Sequence, residues 1–129
     1  MRPPRHAAYA LAVLAALVGC SHDDIGPRAG TLNVTLASPN SDDGAVLFTI
    51  SGGPVDSLTA PGRQIYTSRL DSNTLRVILI GHLEAGTVAR VYLPDVRLAS
   101  NYSAAVNQAA AGGSYAQRNP AAYSVNLLP

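Results

Sequence analysis

His82 and Glu84, two residues apart in Gly81-His82-Leu83-Glu84-Ala85-Gly86, carry the atoms for metal ligation or acid/base work. Zinc takes roughly three or four ligands, and the folded part of the chain has no second histidine and no thiol to add. A solvated turn accounts for the pair. Asn40-Ser41-Asp42-Asp43-Gly44 is oxygen-rich, and with Asp95 or Asp56 from another loop it makes a candidate calcium set. Calcium wants roughly six to eight oxygens and the EF-hand spacing is absent, so a polar hairpin turn fits this segment better. Asp42, Asp43 and Asp95 remain the residues to inspect for a cation. There is no Gly-x-Ser-x-Gly motif, and a Ser/His/Asp triad would have to be built around one turn histidine. The expectation is a non-catalytic domain with no cofactor.

Sugars stack on exposed aromatic rings, which makes the aromatics the next residues to weigh. The chain has no tryptophan, and the tyrosines beyond the first thirty residues are Tyr66, Tyr92, Tyr102, Tyr115 and Tyr123. Tyr115, in Gly112-Gly113-Ser114-Tyr115, is the candidate ligand contact because a glycine-rich loop exposes it. Tyr92 and Tyr123 are expected to lean on the core with their hydroxyls at its edge.

The nine basic residues are all arginine, and setting aside Arg2 and Arg5 leaves seven against eight acids. From Arg28 to Arg118 the arginines stand singly. A nucleic-acid partner is excluded by that scatter, since phosphate binding needs a basic stripe. With 47% hydrophobic and 13% charged residues, the chain is too apolar and too weakly charged to stay disordered.

Residues 1–20 read as a positive segment with Arg2 and Arg5, an apolar run from Ala7 to Val18, and small residues before Cys20. That is the layout of a secretory signal. The run is about a dozen residues long, short of the roughly 20 that cross a bilayer as a helix. Its end, Leu17-Val18-Gly19-Cys20, resembles the lipobox of bacterial lipoproteins. The resemblance implies cleavage before Cys20, a diacylglyceryl group on its thiol and acylation of the new amino group. Several acyl chains, at roughly 0.8 kcal/mol per buried CH₂, would anchor the protein durably. Ser21 follows the cysteine, where an aspartate tends to retain lipoproteins at the inner membrane, so the resemblance points to the outer membrane. Cys20 is the only cysteine, which leaves no thiol for a disulfide within the chain.

Three parts follow: a signal peptide over 1–19, a lipidated tether over 20–30 and a folded domain over 31–129. The tether is polar and broken by Gly26, Pro27 and Gly30. A flexible chain of that length spans roughly 17 to 19 Å.

After Thr31, short runs rich in Val, Ile, Leu, Thr and Tyr alternate with Gly, Pro, Asn and Asp clusters, the pattern of strands and turns. Strands are expected over 31–37, 45–51, 55–59, 64–70, 75–80, 86–93 and 122–128. Phe48, the only phenylalanine, is the expected core anchor. Leu75 to Ile80 is apolar on both faces apart from Arg76 and should be a strand covered on two sides or a central one. A short helix is expected over 101–111, with Ser100 or Asn101 as its cap, Tyr102, Val106 and Ala109 on one face, and Gly112-Gly113 as its stop.

About seven strands and one short helix before the last strand predict a mainly β fold, an antiparallel β-sandwich of immunoglobulin-like size. A membrane barrel of eight ten-residue strands would not fit the remaining length. The Gly44-to-Ile50 segment, followed by a later strand led by glycine, resembles cohesin-type sandwich domains of bacterial surfaces, a likeness that transfers no site residue. The function expected from all this is a membrane-anchored envelope lipoprotein acting as a binding or structural module toward an envelope protein or polysaccharide. A carbohydrate-binding module is the alternative, and a small hydrolase a distant one.

Overall fold

The computed structural model describes residues 26–129; the signal segment 1–19, Cys20 and half of the tether lie outside the described residues. Side chains that alternate along a strand fill one face and leave the other to water. β1 (Gly30–Ala37) turns Leu32, Val34 and Leu36 inward, and β2 (Asp43–Ser51) turns Val46, Phe48 and Ile50 inward. Phe48 is fully buried at the centre of the core. Burying a side chain of this size contributes roughly 1.5 to 3 kcal/mol.

The remaining strands are β3 (Ser57–Thr59), β4 (Gln64–Asp71), β5 (Thr74–Leu83), β6 (Gly86–Leu93), β7 (Ser103–Ala111), β8 (Gln117–Arg118) and β9 (Ser124–Leu128). Among the described residues they form two sheets, ordered β3-β6-β1-β9 and β4-β5-β2-β7-β8. Every neighbouring pair is antiparallel. The inner faces close over one hydrophobic core to give the antiparallel β-sandwich that the alternation predicts. No helix among the described residues is long and apolar enough to cross a membrane.

β5 is central, between β4 and β2. Leu75, Val77 and Leu79 point into the core, while Ile78 faces outward at 36% exposed. The apolar character of both faces thus marks a central strand with one wet side.

The helix expected over 101–111 is corrected: this segment is β7, paired with β2 from Asp43↔Ala111 to Ser51↔Ser103. The register slips between Leu47 and Phe48, which face Gln108 and Val106, so Asn107 is an extra residue in β7. Such a bulge breaks the two-residue alternation. Ala104 and Val106 lean on the core before the bulge and Ala109 after it. The resulting spacing of 102, 106 and 109 imitates one face of a helix. Pairing along all of β2 overrides the helix preference of alanine. The short helix ahead of the last strand is instead a 3₁₀ turn, Pro120–Ala122, capped by the Asn119 side chain, which accepts from Ala121 N at 3.1 Å. A second 3₁₀ turn spans Val96–Asn101. With β7 and β8 added, the described residues form nine strands in place of the expected seven.

Candidate functional site

The registers give the sandwich two poles. β1 starts with Gly30 opposite Leu93 and reaches Leu36 opposite Gly86, an excursion of about 20 Å at roughly 3.3 Å per residue. The segment leading into β1, expected as a tether, therefore joins at the pole that holds Asp95 and the Val96–Asn101 turn, where Arg28 O accepts from Val96 N at 2.7 Å. At the opposite, distal pole lie the 38–42 loop, the turn from β5 to β6 and the turn from β7 to β8, because Asp43 pairs with both Leu83 and Ala111.

Asp43 opens β2 at this pole with its side chain wholly buried. A buried carboxylate is costly unless charge-assisted hydrogen bonds replace its water. Tyr123 Oη and Arg118 Nη1 each donate to its Oδ1 at 2.7 Å, and Ser38 Oγ donates to its Oδ2 at 2.5 Å. Asn40 Nδ2 donates in turn to Tyr123 Oη at 2.9 Å. Among the described residues no buried side-chain nitrogen or oxygen lacks a partner.

Arg118 Nη1 also donates to Asp42 Oδ1 at 2.9 Å, so one nitrogen ties an exposed carboxylate to a buried one. The hydrogen bond from Arg118 holds the Asp42 carboxyl below its ordinary range, and Asp42 and then Asp43 raise the guanidinium above its own. Asp42 is thus fixed as an anion in a set position with most of its side chain open to solvent.

The backbone closes in around this pair. Gly112 N donates to Asp42 O at 2.7 Å, and a Cβ on Gly44 would sit 2.7 Å from Gly112 Cα. Only glycine at 44 permits that approach. In the turn from β7 to β8, Tyr115 adopts φ 56°, a left-handed conformation unusual for an aromatic residue. Its N–H donates to Ala111 O at 3.1 Å, and its side chain is 53% exposed.

A cleft of about 310 Å³ results, lined by Asp42, His82 and Tyr115 over Gly44 and Gly112. Four residues of interest in the sequence, Asp42, Asp43, His82 and Tyr115, come together here. His82 Nε2 lies 3.9 Å from Glu84 Oε2, and both side chains are largely exposed. That distance is too long for a hydrogen bond, and the expected turn is shorter than the sequence suggests: His82 lies in the last residues of β5 and only Glu84 in the solvated turn after it.

Asp95 is not part of this site. At the tether pole it accepts from Arg97 Nε at 2.9 Å, from Arg97 Nη2 at 2.8 Å and from Arg28 N at 3.2 Å, and it caps the 3₁₀ turn. Those bonds hold its carboxyl far below the ordinary range. Asp42, Asp43 and Asp95 therefore do not converge, and among the described residues no three His, Cys, Asp or Glu side chains group to hold a metal.

No protein-family model, curated protein or solved structure matches this chain. An exposed ring, a fixed carboxylate and an imidazole around a glycine floor can accept and stack a polar ligand.

Sequence reasoning missed Arg118 and Ser38 as members of this site, and read Asn40 as a cation ligand where it donates to Tyr123 Oη. The signal was the Asp42-Asp43 doublet, which at a strand start requires a cation and donors nearby. Tyr123 is buried as expected, but its hydroxyl faces a carboxylate rather than solvent. Tyr92 differs more: it shares the outward face of β6 with Arg90, because Ala89, Val91 and Leu93 take the inward positions.

Proposed function

We propose that this chain is an envelope lipoprotein, anchored by lipid on Cys20, whose β-sandwich is a non-catalytic binding module. The observation that carries the binding role is the distal cleft, where Tyr115 stands exposed beside an Asp42 carboxylate that Arg118 holds charged. The anchor rests on Leu17-Val18-Gly19-Cys20 and the short polar tether. With the tether joining at the opposite pole, the cleft faces away from the lipid, toward an envelope protein or polysaccharide. Ser21 after the cysteine favours the outer membrane.

A carbohydrate-binding module is the second reading, and Tyr115 is the observation that favours it. A half-exposed ring next to a carboxylate offers a stacking face and a hydroxyl acceptor side by side. Crosslinking of the full-length lipoprotein in its native membrane, with identification of what is captured, tests the binding role. Capture of a reproducible partner that is lost in Tyr115→Ala supports the cleft. Recovery of the protein crosslinked only to itself overturns it. Metabolic lipid labelling tests the anchor, and label persisting on Cys20→Ser would sink it.

A further inference from the structure

A groove of about 600 Å³ lies on the outer side of the four-stranded sheet, between β6 and the connection from β3 to β4. Thr59, Arg63, Thr87, Arg90 and Tyr92 supply its polar lining, and no acidic side chain lines it. Thr59 faces Arg90 directly across the β3–β6 ladder.

The two guanidinium groups differ in how they are held. Arg63 donates through Nε to His82 O at 3.2 Å and through Nη1 to Pro61 O at 3.4 Å and Val88 O at 3.2 Å. Among the described residues its Nη2 hydrogens meet no acceptor. Arg90 is exposed and, among the described residues, makes no side-chain hydrogen bond or ion pair, so its whole donor fork is open. Elsewhere in the fold Arg97 and Arg118 sit on carboxylates, so a groove with two arginines and no acid is a local positive site in a chain close to neutral. Hydroxyls from Thr59 and Thr87 and the Tyr92 ring stand beside it.

We infer that this groove binds the oxyanion of an acidic glycan, a carboxylate or a phosphate carried on a sugar. Arg90 forms the bidentate ion pair, Arg63 Nη2 adds a second donor, and Tyr92 and the threonine hydroxyls meet the sugar. Two cations are far too few for a nucleic-acid backbone, whose binding rests on many phosphate contacts. Arg63 also joins this groove to the distal cleft, because its Nε holds the carbonyl of His82, which lines that cleft, and its Cγ would lie 3.2 Å from a Cβ on Gly81. The inference rests on the reading of the sandwich as a binding module and needs no lipid anchor.

The test is calorimetric titration of the full-length protein in neutral detergent with a galacturonate oligomer, with mannose 6-phosphate and with a neutral maltooligosaccharide. At least one acidic probe is expected to bind, more weakly as salt rises, while the neutral probe does not compete. The acidic probe that binds identifies carboxylate or phosphate as the source of the oxyanion. Arg90→Gln, an exposed change that should leave the melting temperature unaltered, is expected to weaken binding about tenfold or more, with Arg90→Lys in between. Equal affinity in Arg90→Gln, or no binding of either acidic probe, overturns the inference. If that happens while membrane crosslinking still captures a partner at the cleft, the groove fails and the binding-module reading stands. An empty crosslink as well removes both.

Discussion

Tyr123 and Asp43, eighty residues apart in sequence, share a hydrogen bond of 2.7 Å that ties the start of β2 to the residue preceding β9. Because Asp43 is buried, this bond and its partners decide whether the distal pole holds together. Tyr123→Phe removes the hydroxyl that donates to Asp43 and accepts from Asn40, and should cost about 1 to 2 kcal/mol. Asp43→Ala takes the acceptor away from Tyr123, Arg118 and Ser38 together and should cost about 3 kcal/mol or more. The double variant should cost less than the sum of the two. Denaturant unfolding of all three checks this, and strict additivity would show that the residues act independently.

Acid should weaken the fold through two carboxylates at opposite poles. Hydrogen bonds from Arg118 to Asp42 and from Arg97 to Asp95 hold both folded-state pKa values below the ordinary value of about 3.9. The folded protein therefore binds these protons more weakly than the unfolded chain. Their stabilisation is complete above about pH 5 and is lost as pH falls through and below the carboxylate range. Asp95→Asn should lower stability at pH 7 and flatten the acid limb, since it no longer titrates. Melting temperatures at pH 7 and pH 3 for the two proteins measure it; parallel losses would mean that Asp95 contributes nothing to the acid response.

Most of the sandwich is legible in the sequence wherever one face alternates without interruption. Leu32, Val34 and Leu36, or Val46, Phe48 and Ile50, announce their strands because water on one side and core on the other impose a period of two. β7 is illegible for the opposite reason. The extra residue at Asn107 shifts the inward positions mid-strand, and the alanines that fill most of the strand contribute too little hydrophobic contrast to show it. The site divides in the same way. Tyr115 and the Asp42-Asp43 doublet can be found because glycines and charge mark them locally. Arg118 cannot, because its partnership with Asp43 exists only once β8 is laid beside β7 and β7 beside β2.

Two glycines with positive φ should respond very differently to alanine. Gly52 has φ 110°, and a Cβ there would lie 1.9 Å from the carbonyl oxygen of Asn101, a backbone atom that cannot swing aside. Gly52→Ala should cost about 3 kcal/mol or more, from clash and strain together. Gly62 has φ 77°, and a Cβ there would have nothing within 4 Å, so Gly62→Ala meets only the left-handed penalty of about 1 kcal/mol. Equal losses in chemical denaturation would mean that the contact between the 52 turn and Asn101 is not a fixed part of the fold.

Tyr115 separates stability from binding at a single position. Its φ of 56° costs about 1 kcal/mol that glycine would not incur, and its exposed ring makes no hydrogen bond with the described residues through its hydroxyl. Tyr115→Gly should therefore leave the fold as stable as before, or slightly more so. It should at the same time remove the stacking face of the cleft and abolish capture of a ligand there. Tyr115→Phe keeps the ring and should retain most of that capture. Thermal melts and retention on immobilised glycan read the two effects side by side. A protein that is destabilised by Tyr115→Gly while still binding would assign the ring to packing of the turn, whereas gain of stability with loss of binding is the mark of a residue kept for its ligand.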